Sequence, residues 1–130
     1  MSIEQKRILI AEDEGSLREM LVMIIREEGY RVDAAEDGNQ AWALMNANHY
    51  DLLVTDLYMP QTNGIELIQK SQQAYPETKI ILISGGGKEL EAEHGQGHVK
   101  FVDQQVDIDM FLKKPCDLDD IITAVEKVLL

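Results

Sequence analysis

Residues 52–60 read LLVTDLYMP, an apolar run that stops on a carboxylate. Residues 51–55 have the length of a strand, and the unbroken Leu52-Leu53-Val54 predicts burial on both faces, as in a parallel sheet. Pro60 then begins a loop that Gly64 closes. A buried strand that ends on Asp56 needs a reason for the ionisable group.

Outward from this strand the same plan recurs. Arg7 to Ala11 (RILIA), Arg31 to Ala35 and Lys79 to Ser84 (KIILIS) are further short strands, and residues 109–113 are a candidate fifth. Between them lie helical periods. Leu17, Met20, Leu21, Ile24 and Ile25 share one face, and Gly29 sits where that helix would end. Residues 39–46 give a weaker helix with Ala41, Leu44 and Met45. Ile65, Leu67 and Ile68 begin a third, which must finish before Pro76. A last helix presents Ile121, Val125, Val128 and Leu129, with Asp117 as its N-cap and Asp120 in a capping-box-like place. Strand–helix alternation at this spacing predicts a doubly wound α/β fold, a parallel sheet with helices on both faces. Residues 85–107 fit least well. They hold three glycines, an acidic stretch and Gly95-Gln96-Gly97, and only residues 99–106 carry a mild helical period, the expected fourth helix.

The chain has 130 residues, the size of one domain, read as spanning 1–130. A formal net charge of −12 opposes direct nucleic-acid binding and an anionic membrane surface. No apolar run approaches a bilayer span, and the polar N-terminus lacks a signal-peptide core. A single cysteine, Cys116, excludes an internal disulfide and fits a reducing, cytoplasmic setting.

In open parallel sheets ligands bind at the carboxyl ends of the strands. The first strand ends in Glu12-Asp13, the third in Asp56, the fourth in Ser84 and the fifth in Lys113-Lys114-Pro115. Three carboxylates at one rim repel unless a cation lies among them, and an all-oxygen set suits magnesium. Lys114 and Ser84 would supply a point charge and a hydroxyl donor for an anion. Together these are the parts for placing a phosphoryl group on a carboxylate.

The motifs Ile8-Leu9-Ile10-Ala11-Glu12-Asp13-Glu14, Asp56-Leu57-Tyr58-Met59-Pro60 with Gly64, Ile83-Ser84-Gly85 and Phe111-Leu112-Lys113-Lys114-Pro115 resemble the receiver domain of two-component response regulators. The resemblance runs from Arg7 to about residue 129. It implies a flavodoxin-like fold with five strands in the order 2-1-3-4-5. It implies Asp56 as phosphoacceptor and Mg2+ held by Asp13, Asp56 and the Tyr58 backbone carbonyl, with Glu12 acting through water. Lys114 and Ser84 would bind phosphoryl oxygens, with a cis bond before Pro115, and Ser84 and Phe111 would be the switch pair, Phe111 turning inward on phosphorylation. The implied partners are a histidine kinase or phosphotransfer protein and a downstream protein or fused output domain; a phosphorylation-dependent dimer is also within the family's habits. Beyond its own phosphotransfer and slow dephosphorylation, such a domain is not an enzyme.

Rival readings fare worse. A dehalogenase-type phosphatase needs a second acid two residues after its nucleophile, where Tyr58 stands. Gly85-Gly86-Gly87-Lys88 lacks the hydroxyl residue of a phosphate loop, since Glu89 follows. Glu12-Asp13-Glu14 would repel a flavin phosphate. The different-class alternative is a receiver-fold interaction module that is never phosphorylated. His94 and His98, separated by glycines, read as a solvated loop rather than a metal site. Trp42 and Cys116 read as packed residues, and the bulky Tyr58 as a shield against water or a mere loop contact.

Overall fold

The computed structural model describes residues 5–130. Its main sheet is parallel throughout, with strands β1 (Arg7–Ala11), β2 (Arg31–Ala35), β3 (Leu52–Asp56), β4 (Lys79–Ser84) and β8 (Met110–Lys113) in the order β2-β1-β3-β4-β8. This is the expected 2-1-3-4-5 order, because β8 is the fifth strand of that sheet.

Alternate strand residues serve opposite faces. Ile8, Ile10, Val54, Ile81, Ile83 and Leu112 pack with α1 (Gly15–Glu27) and α4 (Leu118–Leu129) through Leu21, Ile24, Ile25, Ile121 and Val125. Leu9, Leu53 and Leu82 face the other way, onto α2 (Gly38–Ala47) and α3 (Gly64–Ala74) through Ala41, Met45, Leu67 and Ile68. Each fully buried aliphatic side chain contributes about 1.5–3 kcal/mol, so burial on both faces explains the missing polar alternation.

Carboxylates and amides start the helices. Asp37, Asn63 and Asp117 each accept a hydrogen bond from the backbone N–H three residues on, and Glu14 accepts from Ser16 and Leu17. Gly29 follows α1 with φ +99°, a left-handed conformation that a residue with a Cβ resists.

The β4-to-β8 crossover departs from expectation. Instead of a helix over residues 99–106, it folds into a three-stranded antiparallel sheet of β5 (Leu90–Ala92), β6 (His98–Phe101) and β7 (Gln104–Asp107). The cause is a period of two that overrides the weak helical one. Leu90, Val99 and Val106 point inward and join the α2/α3 core, whereas Glu91, Lys100 and Gln105 lie side by side on the exposed face. The accessory sheet therefore covers the ground beside α3 that a fourth crossover helix would occupy.

It also covers the flank of β8. The Gly95 N–H donates to the Phe111 carbonyl at 2.7 Å, and the Phe111 N–H donates to the Gln96 carbonyl at 2.8 Å. His94 Nδ1 accepts from the Lys113 N–H at 3.0 Å. An edge strand would leave these groups to solvent.

Candidate functional site

The carboxyl ends of β1, β3, β4 and β8 converge on one rim. Glu12 and Asp13 follow β1, Asp56 ends β3, Ser84 ends β4, and Lys114 follows β8. Carboxylate oxygens of Glu12, Asp13 and Asp56 all lie within 4.8 Å of one another. Glu12 is buried and Asp13 exposed, and the Asp56 side chain is 11% accessible, so the acidic group runs from the interior out to solvent.

One cation enters this cluster from the protein. Lys114 Nζ lies 3.2 Å from Glu12 Oε1 and 3.3 Å from Asp56 Oδ2. The Lys114 N–H donates to the Ser84 carbonyl at 2.9 Å, and the Lys114–Pro115 bond is cis. Each acid has a second tether: Oδ1 of Asp56 accepts the Leu57 N–H at 2.8 Å, and Oε2 of Glu12 accepts the Glu14 N–H at 3.1 Å. Oδ2 of Asp56 is thus left facing the ammonium.

The electrostatics follow from three carboxylates set against one ammonium. Burial pushes the Asp56 and Glu12 carboxyls above their ordinary range, and neighbouring negative charge adds to this, against the opposing pull of Lys114. Burial alone would lower the Lys114 amine, but Asp56 and Glu12 outweigh it and raise it. Ionised acids at this depth call for a further positive charge. Hard oxygen donors at one rim suit magnesium better than a softer ion.

Residues 8–126 match the response regulator receiver domain. The chain belongs to that family. It is 32% identical to the response regulator receiver protein CpdR of Brucella abortus, over 96% of this chain and 98% of that protein. It is 31% identical to the transcriptional regulatory protein ResD of Bacillus subtilis, of which it spans 48%. Among solved structures, TrrA of Thermotoga maritima in complex with Mg(2+)-BeF superposes with a TM-score of 0.80 at 29% identity, covering 96% of this chain and all of that one. A CheY-like receiver from Methanospirillum hungatei, 22% identical, shares the fold with a TM-score of 0.79 over 97% of this chain and 94% of its own.

The receiver brings Glu12, Asp13, Asp56 and Lys114 together as the sequence predicts. Ser84 is buried at the same rim, but its Oγ accepts the Gly86 N–H at 3.1 Å and has no bond to Asp56. Tyr58 is 47% exposed, and its ring reaches from the β3 loop to Gly87 in the β4 loop. Phe111 differs from the expectation of an outward side chain that later turns in. It is already buried in the core that holds Leu82, Leu90, Val99 and Val106, and both its backbone groups are tied to residues 95–96.

Two further residues support the site, of which sequence reasoning missed the first. Arg18 Nη1 donates to the Glu12 carbonyl at 2.9 Å and leans on that of Asp13 at 3.4 Å, which fixes the acidic loop from α1. A Cβ at Gly64 would collide with the Asp56 carbonyl, so α3 can start hard against the acceptor strand only with glycine there. The Gly64 signal lay in the motif; Arg18, a single charge on a helix, gave none. Among the described residues His94 and His98 belong to no cluster of three or more metal-ligating side chains, Trp42 packs on Tyr75 with ring centroids 5.7 Å apart, and burial pushes the half-buried Cys116 thiol up. No helix among the described residues is long and apolar enough to cross a membrane.

Proposed function

We propose that this receiver is a magnesium-dependent switch whose phosphoacceptor is Asp56. The observation that carries the reading is the Lys114 ammonium held against Oδ2 of Asp56 and Oε1 of Glu12. An oxygen of the Asp56 carboxylate attacks phosphorus, a P–O bond forms, and the bond to the donor's nitrogen or acyl oxygen breaks, its electron pair leaving with the donor. Lys114 sits where it can neutralise charge on the transferred oxygens.

Asp13 and Asp56, with the Tyr58 backbone carbonyl, would hold Mg2+, and Glu12 would act on it through water. When bound, the ion supplies charge neutralisation for the acids and the phosphoryl oxygens. Ser84 would exchange its bond to Gly86 for one to a phosphoryl oxygen. Phe111, already inward, would pass that change to the accessory sheet through its two backbone bonds. Driving such an equilibrium almost fully over takes about 5.5 kcal/mol.

The donor is a histidine kinase or phosphotransfer protein in the cytoplasm, and the recipient of the signal is a downstream protein or a linked output domain. ResD, roughly twice as long as the matched region, is a transcriptional regulator; CpdR is matched almost end to end. Intact mass after Mg2+ and acetyl phosphate tests the reading. The expected result is an adduct of about 80 Da on the wild type and none on Asp56→Asn, since transfer needs the nucleophile. A wild type that stays unmodified with a competent kinase as well would leave the unphosphorylated interaction module in its place.

A further inference from the structure

Resting on Asp56 as the acceptor, we propose that His94 is a positioning residue for Lys114. Its neutral imidazole clamps the last residue of β8, and protonation of the ring releases the clamp and slows phosphoryl uptake. The observation is a pair of consecutive N–H groups held in opposite directions. The Lys114 N–H donates to the Ser84 carbonyl of β4 at 2.9 Å, and the Lys113 N–H before it donates to Nδ1 of His94 at 3.0 Å. The backbone that carries the ammonium to Asp56 is thus held from both sides, by β4 and by the accessory crossover.

The neighbouring rungs are made by backbone alone. The Gly95 N–H meets the Phe111 carbonyl and the Phe111 N–H meets the Gln96 carbonyl. The chain then reverses: the Gln96 N–H donates to the Glu93 carbonyl at 3.1 Å, and Gly95 sits at φ +85°. In that turn an imidazole, not a carbonyl, meets Lys113. A backbone N–H can only donate, so the ring nitrogen facing it carries a lone pair, and the proton of the neutral ring is on Nε2. An imidazolium has no lone pair to offer, and its Nδ1–H would point at the Lys113 N–H. The rung therefore exists in one charge state of the ring only, and histidine is the side chain that ordinarily changes charge near neutral pH.

His94 is exposed, so protons reach it freely. Charged groups stand around it on each element. Glu93 is beside it in the turn, Lys113 is at its hydrogen bond, and Asp119, Asp120 and Lys127 of α4 line a cleft with it. The two aspartates offer an imidazolium a partner in that cleft, away from β8.

The test measures initial rates of 32P uptake from acetyl phosphate in Mg2+ for the wild type, His94→Asn and His94→Ala, from about pH 8 to about pH 5, where imidazole changes charge. Asparagine places an amide oxygen near the position of Nδ1 and keeps it as an acceptor throughout. Dividing the wild-type rate by that of His94→Asn cancels the titration of Asp56, Glu12 and the donor, which both proteins share. The quotient is expected to be close to unity at the alkaline end and to fall several-fold at the acid end, where the wild type meets His94→Ala. His94→Ala is expected to be several-fold slower than His94→Asn at every pH. A quotient that is constant or rises with acid would overturn the proposal, as would equal rates for the two variants.

Where His94→Ala does not fold, the native chain decides. A 15N–15N coupling across the bond between the Lys113 amide and His94 Nδ1 is expected at the alkaline end and is expected to vanish at the acid end. Its absence at the first, or its persistence at the second, overturns the clamp. A wild type that takes no label removes Asp56 as acceptor, a result distinct from a labelled protein whose quotient ignores pH.

Discussion

Oδ2 of Asp56 and Nζ of Lys114 lie 3.3 Å apart, brought together by the ends of β3 and β8, which do not pair with each other but flank β4. The lysine also faces Glu12, so one ammonium serves two acids. Lys114→Met keeps an unbranched side chain one atom shorter and removes the charge. Phosphoryl uptake from acetyl phosphate is expected to slow by about 10²-fold, the scale of losing one electrostatic stabiliser of a transition state. Initial rates of label incorporation check this, and an unchanged rate would remove Lys114 from the chemistry.

Neutralising the acceptor has a thermodynamic consequence. The folded carboxyls of Asp56 and Glu12 titrate above their unfolded values, so ionising them costs the folded state. That cost is absent below the ordinary carboxylate range, near pH 4, and grows as pH rises through the raised folded values. Without Mg2+, Asp56→Asn is therefore expected to melt higher than the wild type at pH 7, with the gap closing as pH falls. Added Mg2+ is expected to raise the wild-type Tm more than the variant's. Calorimetry across pH, with and without the ion, reads both signs.

Gly64 lies against the acceptor strand's carbonyl, so Gly64→Ala must push α3 away from Asp56. The expected loss is about 3 kcal/mol, at the upper end for overpacking. Urea denaturation measures it. A loss under about 0.5 kcal/mol, the scale of an ordinary surface change, would mean the close approach is not obligatory.

The β6–β7 turn holds Val102 at φ +58°, and the side chain is exposed. A β-branched residue costs about 1–2 kcal/mol in that region. Val102→Asn is expected to stabilise the protein by about 1 kcal/mol, because asparagine accepts the left-handed angle a two-residue hairpin turn requires. A helix over residues 99–106 would respond in the opposite sense.

Hydrogen exchange separates the accessory sheet from a helical crossover more directly. The Phe111 N–H, bonded to the Gln96 carbonyl, is expected to exchange slowly. Phe111→Ala would open the α2/α3 core and cost about 3–5 kcal/mol. Rapid exchange at Phe111 in the native chain would contradict the closed flank of β8.

The site was legible in the sequence because its residues sit at fixed offsets from strong local signals. Glu12, Asp13, Asp56 and Ser84 each end a short apolar run, and the proline after Lys114 marks the last. The crossover was not legible for the opposite reason. Its strands hold three or four residues and its β6–β7 turn has no glycine, so a hairpin announced itself only through the alternation His98-Val99-Lys100-Phe101. The bonds that fix it run to Phe111 and Lys113, beyond the range of any local pattern. The motif around Phe111 likewise says nothing of the sheet that folds over its buried side chain.

A parallel sheet of five strands has two margins at which a foreign strand could add. In this protein the one at β8 is occupied by the chain's own residues 94–97. Lateral growth is left to β2, whose exposed Arg31 and part-exposed Asp33, the latter bound to Arg7, put charge where an incoming backbone would have to lie. The crossover thus makes the molecule a poor template for strand-by-strand polymerisation, whichever state its aspartate is in.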